Sequence, residues 1–397
     1  FSTGGGMVEV VAVDDFPVSI AGDYYESLLW MERNDPDLLH RLSGILEADA
    51  ILLHESETGH LVEIKAQRFL DDRSVAALQP LGAIRQVKRL APVLPVLSRR
   101  GVAVPFQTCD EMLRLDAGRD APLWRHALEY EMARGGLPDS EVLAKMGEIV
   151  RVLRRSIQHG LAGTSYGDRL LGYQCGTFRQ RLDGGRLLDA GALNRIVLYV
   201  SALMEVKSSM GVIVAAPTAG ACAAMPGAIL GMAEALGLPE DLMARALLAS
   251  GLIGVFIASG WTFAAEVGGC QAECGAAGSM AAAGLVTLAG GTLRQGIAAA
   301  SMALQGMLGL ICDPVANRVE VPCLGKNVLA ASNAVCCANM ALADYDPVIP
   351  LDEVIETAQR VGRQLPRELR CTGLGGLAIT QTSRRLENEL AARKAPW

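Results

Sequence analysis

Four long runs in the second half of the chain, residues 246–265, 279–289, 293–310 and 327–343, read as helices that are apolar on nearly every side. A helix with no polar face has to sit in the middle of a bundle or inside a bilayer. The first run is about as long as a membrane span. It contains Ser250, Gly251, Gly254, Ser259 and Gly260, runs straight into Glu266 and a cysteine motif, and lacks the basic flank that fixes orientation in a membrane. We read it as a buried helix and expect no membrane. Aromatic residues make up only 5% of the chain, so Ala, Leu, Val, Gly and Met must fill its core. Such small side chains let helices approach closely and favour helical packing over sandwiches.

With 397 residues the chain suits two or three domains. Residues 1–93 mix strand-like and helical runs. Strands are expected at 7–13, 25–31, 50–55, 60–66 and 83–90, with helices at 35–46, after an Asn-Asp-Pro start, and at 72–78. The turn Glu57-Thr58-Gly59 separates two of the strands. From Tyr25 onward the order is β-α-β-β-α-β, the split arrangement of a ferredoxin-like unit. Residues 94–136 form a proline-bearing connector with a helix near 123–134, and residues 137–397 are helical almost throughout, beginning with an amphipathic helix at 140–159. The expected fold class is therefore α+β. The net charge of −7 and the lack of any Lys/Arg run argue against a nucleic-acid partner. Residues 1–6 carry no secretory signal. The missing initiator Met implies that something upstream has been removed or lies on another piece.

Ten cysteines without disulfide-framework spacing read as reduced cytosolic thiols or as metal ligands, so a cytoplasmic location is expected. Eight of them lie beyond residue 200, whereas all five histidines precede residue 160. A Cys/His zinc site in the second half would have to borrow its imidazoles, and a cluster held by thiolates alone fits better. Cys270, Cys312 and Cys323 each stand beside Gly or Pro, where a bent backbone lets a sulfur leave a helix end. Cys222, Cys336 and Cys337, within Ala-rich helices, read as small hydrophobes. For the Gly/Pro-framed trio, the residues alone leave both readings open.

The runs Ala216-Pro-Thr-Ala-Gly220, Gly268-Gly-Cys-Gln-Ala-Glu273, Leu308-Gly-Leu-Ile-Cys-Asp-Pro-Val-Ala316, Val321-Pro-Cys323, Ala331-Ser-Asn-Ala334 and Gly375-Gly-Leu-Ala378 occur in order between about 136 and 387. They resemble the alpha part of the iron–sulfur-dependent L-serine dehydratases. Ser2-Thr-Gly-Gly-Gly6 followed by Val8-Glu-Val resembles the end of that family's beta part, which continues into an ACT-like domain in its two-subunit branch. The resemblance thus implies a beta end fused to an alpha part. The substrate-carboxylate half that normally precedes it would come from an upstream beta segment or subunit, and the assembly would be a dimer.

By the same resemblance, a [4Fe–4S] cluster is held by Cys270, Cys312 and Cys323. One open iron acts as Lewis acid on the β-hydroxyl of L-serine, giving pyruvate and ammonia without pyridoxal phosphate. The base is not readable from the residues. Lys326 and Asn327, just past Cys323, are the catalytic candidates. Thr218, in its Pro-Thr-Ala-Gly turn, and Arg370, Cys371 and Thr372, near the tail, are the substrate-binding candidates. The chain departs from the family in three places. Cys371 stands where members commonly have Glu, Ser383 where one branch has a capping cysteine, and Gly306 where some members have His. Two further readings stay open: the same chemistry on another β-hydroxy acid or on cysteine, and a non-catalytic iron–sulfur sensor.

Overall fold

A computed structural model describes residues 6–13, 16–21, 25–32, 37–56, 59–90 and 102–393. The expected helix start at Asn34-Asp-Pro36, residues 57–58 of the expected turn and the Ser2-Thr-Gly-Gly segment lie outside the described residues. Strands β1 (Gly6–Val13), β2 (Phe16–Ala21), β3 (Tyr25–Met31), β4 (Ala50–Ser56), β5 (Gly59–Ala66) and β6 (Ile84–Leu90) are interleaved with helices α1 (Leu38–Ile45) and α2 (Asp72–Leu78). The four strands from β3 onward form an antiparallel sheet in the order β4-β5-β3-β6. Alternation along the strands explains its core: Leu29 and Met31 of β3 and Val62 and Ile64 of β5 share one face, buried against Leu38, Leu42 and Leu78 of the two helices.

The remaining chain is helical: α3 (Cys109–Asp116), α4 (Leu123–Gly135), α5 (Asp139–Ala162), α6 (Gln174–Asp183), α7 (Ala192–Ser208), α8 (Ala224–Ala235), α9 (Glu240–Gly260), α10 (Ala265–Gly268), α11 (Ala276–Leu288), α12 (Leu293–Gln305), α13 (Cys323–Leu342), α14 (Leu351–Gln364) and α15 (Gln381–Ala392). The molecule is thus α+β, as expected. Every residue of α11 except Thr287 is buried, and α11 packs against α8, α9, α12 and α13. The all-round apolar pattern therefore marks the centre of the bundle. Helix α9 is long and apolar enough to cross a membrane, yet residues 246–258 are all buried inside the protein, in keeping with a core helix.

Two helix ends differ from expectation, and both differences shape the site. The run at 246–265 is not one helix. α9 begins earlier, at Glu240, and stops at Gly260, because Trp261 leaves helical geometry with φ −156°. The run at 293–310 ends at Gln305, and Gly309 then turns the chain with φ +81°. Two strands were not expected at all. β2, together with the short β7 (Ile213–Ala215) inside the helical region, flanks β1 in a second sheet of order β2-β1-β7.

Small residues set the helix spacing. A Cβ built on Gly160 of α5 would lie 2.1 Å from the carbonyl oxygen of Ala202 in α7. Gly160→Ala should therefore push the two backbones apart and cost about 2–3 kcal/mol. A denaturation midpoint unchanged from the parent would contradict the close approach.

Candidate active site

The cysteines are brought together by loops that are hydrogen-bonded to each other. Gly269, at φ +71°, lets the chain turn out of α10, and Cys270 follows. Residues Gln271–Gly275 then make one turn of π-helix before α11. Such wide turns occur often at functional sites, because the extra residue re-aims neighbouring side chains. Gln271, fully buried, ties this turn to its surroundings. Its N–H donates to Leu310 O at 3.0 Å, its Oε1 accepts from Gly309 N–H at 2.8 Å, and its Nε2 donates to Ala358 O at 3.0 Å. The loop ahead of Cys312 is thereby held against the Cys270 turn. Cys312 in turn forms a parallel bridge with the tail: its N–H donates to Leu369 O at 2.8 Å and its carbonyl accepts from Cys371 N–H at 2.9 Å. Cys323 is the first residue of α13.

Cys270, Cys274 and Cys312 are buried in one small pocket with Ala221, Ala224, Ala265, Ala277, Met307 and Ala330, and the partly buried Cys371 packs against it. Cys323 is buried in the adjoining main core. The Cys270 thiol interacts with those of Cys274 and Cys312, and the Cys312 thiol with that of Cys371. The thiols of Cys274 and Cys312 hold the Cys270 sulfur well below the usual thiol range; burial opposes this and the Lys326 ammonium assists it. The two donors are pushed up correspondingly. Burial, with the Cys270 charge nearby, pushes Cys323 up to about 12. Two of the three expected ligands are thus neighbours in one buried cluster, and the third lies within electrostatic range. Cys274 joins them unforeseen, while Cys222 is fully buried with no other thiol acting on it.

Among the described residues, no three His, Cys, Asp or Glu side chains are spaced to hold a single metal ion. A cube of irons and sulfides asks for something else: one thiolate at each of several corners, in a closed, sulfur-rich pocket. The donor set here, all thiols with Lys326 and Lys207 beside them, fits that requirement.

Beside the thiols, a cavity of about 640 Å³ is lined by Thr218, Gly220, Trp261, Phe263, Glu266 and Glu273, among others. Thr218 follows β7, and its Oγ accepts from Ala221 N–H at 3.1 Å and donates to Glu273 Oε1 at 2.7 Å. A side chain on Gly220 would meet Glu273 Oε1 at 2.8 Å, so the glycine is what lets the carboxyl reach the turn. Burial pushes the Glu273 carboxyl up to about 7, with Cys270 and Glu266 adding to the rise and the Thr218 hydroxyl opposing it. Glu273 was not singled out from the sequence, where it reads as a spacer between Cys270 and Cys274. The usable signal was its place in a Gly-framed turn that also carries a cysteine.

The other candidates divide. Lys326 Nζ donates to Ile311 O at 2.6 Å and Asp313 Oδ1 at 2.7 Å. Burial pulls this ammonium down, but Asp313 and the Cys270 and Cys312 sulfurs outweigh it, so it is held charged. Asn327 is fully buried and makes four hydrogen bonds. Oδ1 accepts from Ala223 and Ala224 N–H at 3.3 and 3.0 Å, and Nδ2 donates to Gly220 O and Cys323 O, both at 2.9 Å. It pins the Thr218 turn to Cys323 and has no polar atom left over. Arg370 reaches Val267 O at 3.4 Å, and its Nε is buried without a partner among the described residues. Thr372 Oγ donates to Arg367 O or Glu368 O, each 3.2 Å away, and closes the tail turn. Cys371 sits there at φ +61°, an uncommon conformation for a residue with a side chain. Ser383 Oγ, fully buried, accepts from Ala316 N–H at 2.9 Å and anchors α15 to the cysteine loop.

A carboxyl paired with a hydroxyl in an open cavity, backed by clustered thiols on a rigid helical frame, is the make-up of an enzyme. A family model described as serine dehydratase alpha chain matches residues 118–378. Relatives include a probable L-serine dehydratase alpha chain of Bacillus subtilis, 35% identical over 72% of this chain and 95% of its own length. Another is an L-serine dehydratase alpha chain of Peptoniphilus asaccharolyticus, 33% identical over 72% of this chain and 98% of its own. An L-serine dehydratase of Streptomyces coelicolor is 34% identical over 72% of this chain and 63% of its own length. The chain belongs to the serine dehydratase alpha-chain family.

Proposed function

We propose that the protein is a lyase that dehydrates L-serine to pyruvate and ammonia, working with a beta chain or segment and a [4Fe–4S] cluster on Cys270, Cys312 and Cys323. The reading is carried by one observation: the Cys270 and Cys312 thiols meet beside a cavity that contains an ionisable carboxyl, in a chain of this family. When bound, the cluster supplies an iron that polarises the β-hydroxyl as a Lewis acid. The chain's own groups do the rest. The unpaired Nε of Arg370 suits a substrate carboxylate, which guanidinium binds strongly. Lys326, held charged by Asp313, offsets thiolate charge in the pocket rather than taking a proton. Asn327 and Thr372 position the Thr218 turn and the tail turn, while Thr218 lines the cavity and Cys371 packs against the thiol cluster.

The unit from β3 to β6 is proposed to be the ACT-like end of a beta part, covering residues 1–93 with the strands before it, and serving dimerisation. Residues 94–136 would be its connector, residues 137–397 the catalytic domain, and the location cytoplasmic. Cys371, a thiol beside Cys312 at the tail turn, favours a second reading in which a different β-hydroxy acid is the substrate.

The test is anaerobic reconstitution with iron and sulfide, followed by assay of pyruvate from L-serine with a beta chain supplied. Pyruvate that depends on the cluster is the expected result. A loaded cluster with no product from L-serine but turnover of another β-hydroxy acid would replace the substrate.

A further inference from the structure

Resting on that reading, we propose that Glu273 is the catalytic residue that removes the α-proton of the substrate, with Thr218 as its positioning partner. The argument begins with geometry. Glu273 lies on the π-turn directly after Cys270, so the loop that presents a thiolate also presents this carboxylate, with the two on a common frame. It lines the same cavity as Thr218 and Glu266. One of its oxygens, Oε1, is engaged by the Thr218 hydroxyl, whose own oxygen is fixed by Ala221 N–H. The other, Oε2, makes no hydrogen bond among the described residues. One oxygen anchored and one free is what a general base needs, since the anchored atom sets the direction and the free one takes the proton. Gly220 leaves room for this arrangement and for no side chain.

The remaining candidates lack these properties. Lys326 is held protonated, Asn327 has no atom left over, and the Thr372 hydroxyl faces carbonyls of its own turn. Glu266 lines the cavity but makes no side-chain hydrogen bond among the described residues, so nothing aims it. The ionisable groups that face Glu273 are Lys207 of α7, Glu266 of α10 and the thiols of Cys222, Cys323 and Cys371, with Cys270 and Cys274 on its own turn. Burial, with Cys270 and Glu266 adding to it against the Thr218 hydroxyl and Lys207, leaves the carboxyl titrating at about 7, where it can take a proton and release it again.

The step balances. The Cα–H bond breaks and its proton goes to Oε2. The C–H electron pair becomes the Cα=Cβ bond, the Cβ–O bond breaks, and the departing hydroxide takes a proton to leave as water. The protonated carboxyl returns to its starting state by losing its proton in the same turnover. The base must be ionised to act, so kcat/KM should rise with pH through about 7 and level off above it.

The experiment compares the anaerobically reconstituted chain, with a beta chain supplied, against Glu273→Gln and Glu273→Asp. The readouts are pyruvate formation, iron content and exchange of the substrate α-hydrogen in D2O. Glu273→Gln should keep its iron while losing turnover and exchange by 1,000-fold or more, following the usual weight of a positioned base. Glu273→Asp should recover part of the rate with a displaced pH profile. Turnover in Glu273→Gln within about 10-fold of the parent, with the same acid limb, would overturn the assignment. If the parent forms no pyruvate, the serine reading falls, and the assignment is then decided by α-hydrogen exchange across a set of β-hydroxy acids. Exchange lost only in Glu273→Gln keeps it; exchange equal in both proteins, or absent from both, overturns it.

Discussion

Replacing Cys312 by serine should leave a folded protein that binds little iron, shows no cluster absorption and makes no pyruvate. A hydroxyl is a harder and less readily ionised donor than a thiol, so it is a poor substitute at an iron–sulfur site. The backbone bridge that holds residue 312 to Leu369 and Cys371 uses no side-chain atom, so it survives the change. Secondary structure should therefore be unaltered while iron content falls to near background. The comparison that gives the result meaning is Cys222→Ser. That thiol is also buried, but unlike Cys323 it feels no charge from Cys270. It should keep its iron. Full iron content in Cys312→Ser, or equal loss in both variants, would remove Cys312 from the ligand set.

The second large effect is on stability. Asn327→Ala should cost about 3 kcal/mol, because it strips partners from two backbone N–H groups and the Gly220 carbonyl, the Cys323 carbonyl keeping its helical partner, and each buried group left unpaired carries a penalty of about 1–3 kcal/mol, discounted where neighbours relax. Asn327→Asp should fall between, since Oδ1 keeps its two donors while the Gly220 carbonyl loses its partner and both carbonyls face a charge. Chemical denaturation of the cluster-free chain reads this directly. A loss under about 1 kcal/mol for the alanine variant would mean that the turn is held by other contacts.

Much of this architecture could be read from residue order, for reasons that also explain what could not. Residues apolar all round could go nowhere but the bundle centre, and α11 is buried there along nearly its whole length. Alternation along β4 and β5 made the small sheet legible with nearly correct ends. β7 was not legible, because three residues carry no period to detect and their strand character comes from a partner more than 200 positions away. The helix ends at Gly260 and Gln305 were overrun for a related reason. Apolar composition continues past both points, while the geometry changes with Trp261 and Gly309. At the site, Cys270, Cys312 and Cys323 stood out by their Gly and Pro neighbours. Gln271, Glu273 and Cys274 did not, since their roles arise from a π-turn that shifts side-chain directions away from those of an ordinary helix. Asn327 was noticed for its closeness to Cys323, but only its four backbone partners reveal what it holds.

The strand pairing at the start of the chain has a mechanical meaning. Gly6, Met7 and Val8 of β1 pair with Ala215, Val214 and Ile213 of β7, and Thr218 comes three residues after that pairing ends. A strand cannot slide past its neighbour by less than a register step without breaking the bonds between them. Any force that draws β1 along its own axis must therefore unzip those pairs or carry β7 with it, and the hydroxyl that steadies Glu273 hangs from the far end of β7. The first described strand is in effect a tether on the Thr218 turn, and a pull along it reaches the carboxyl proposed as the base.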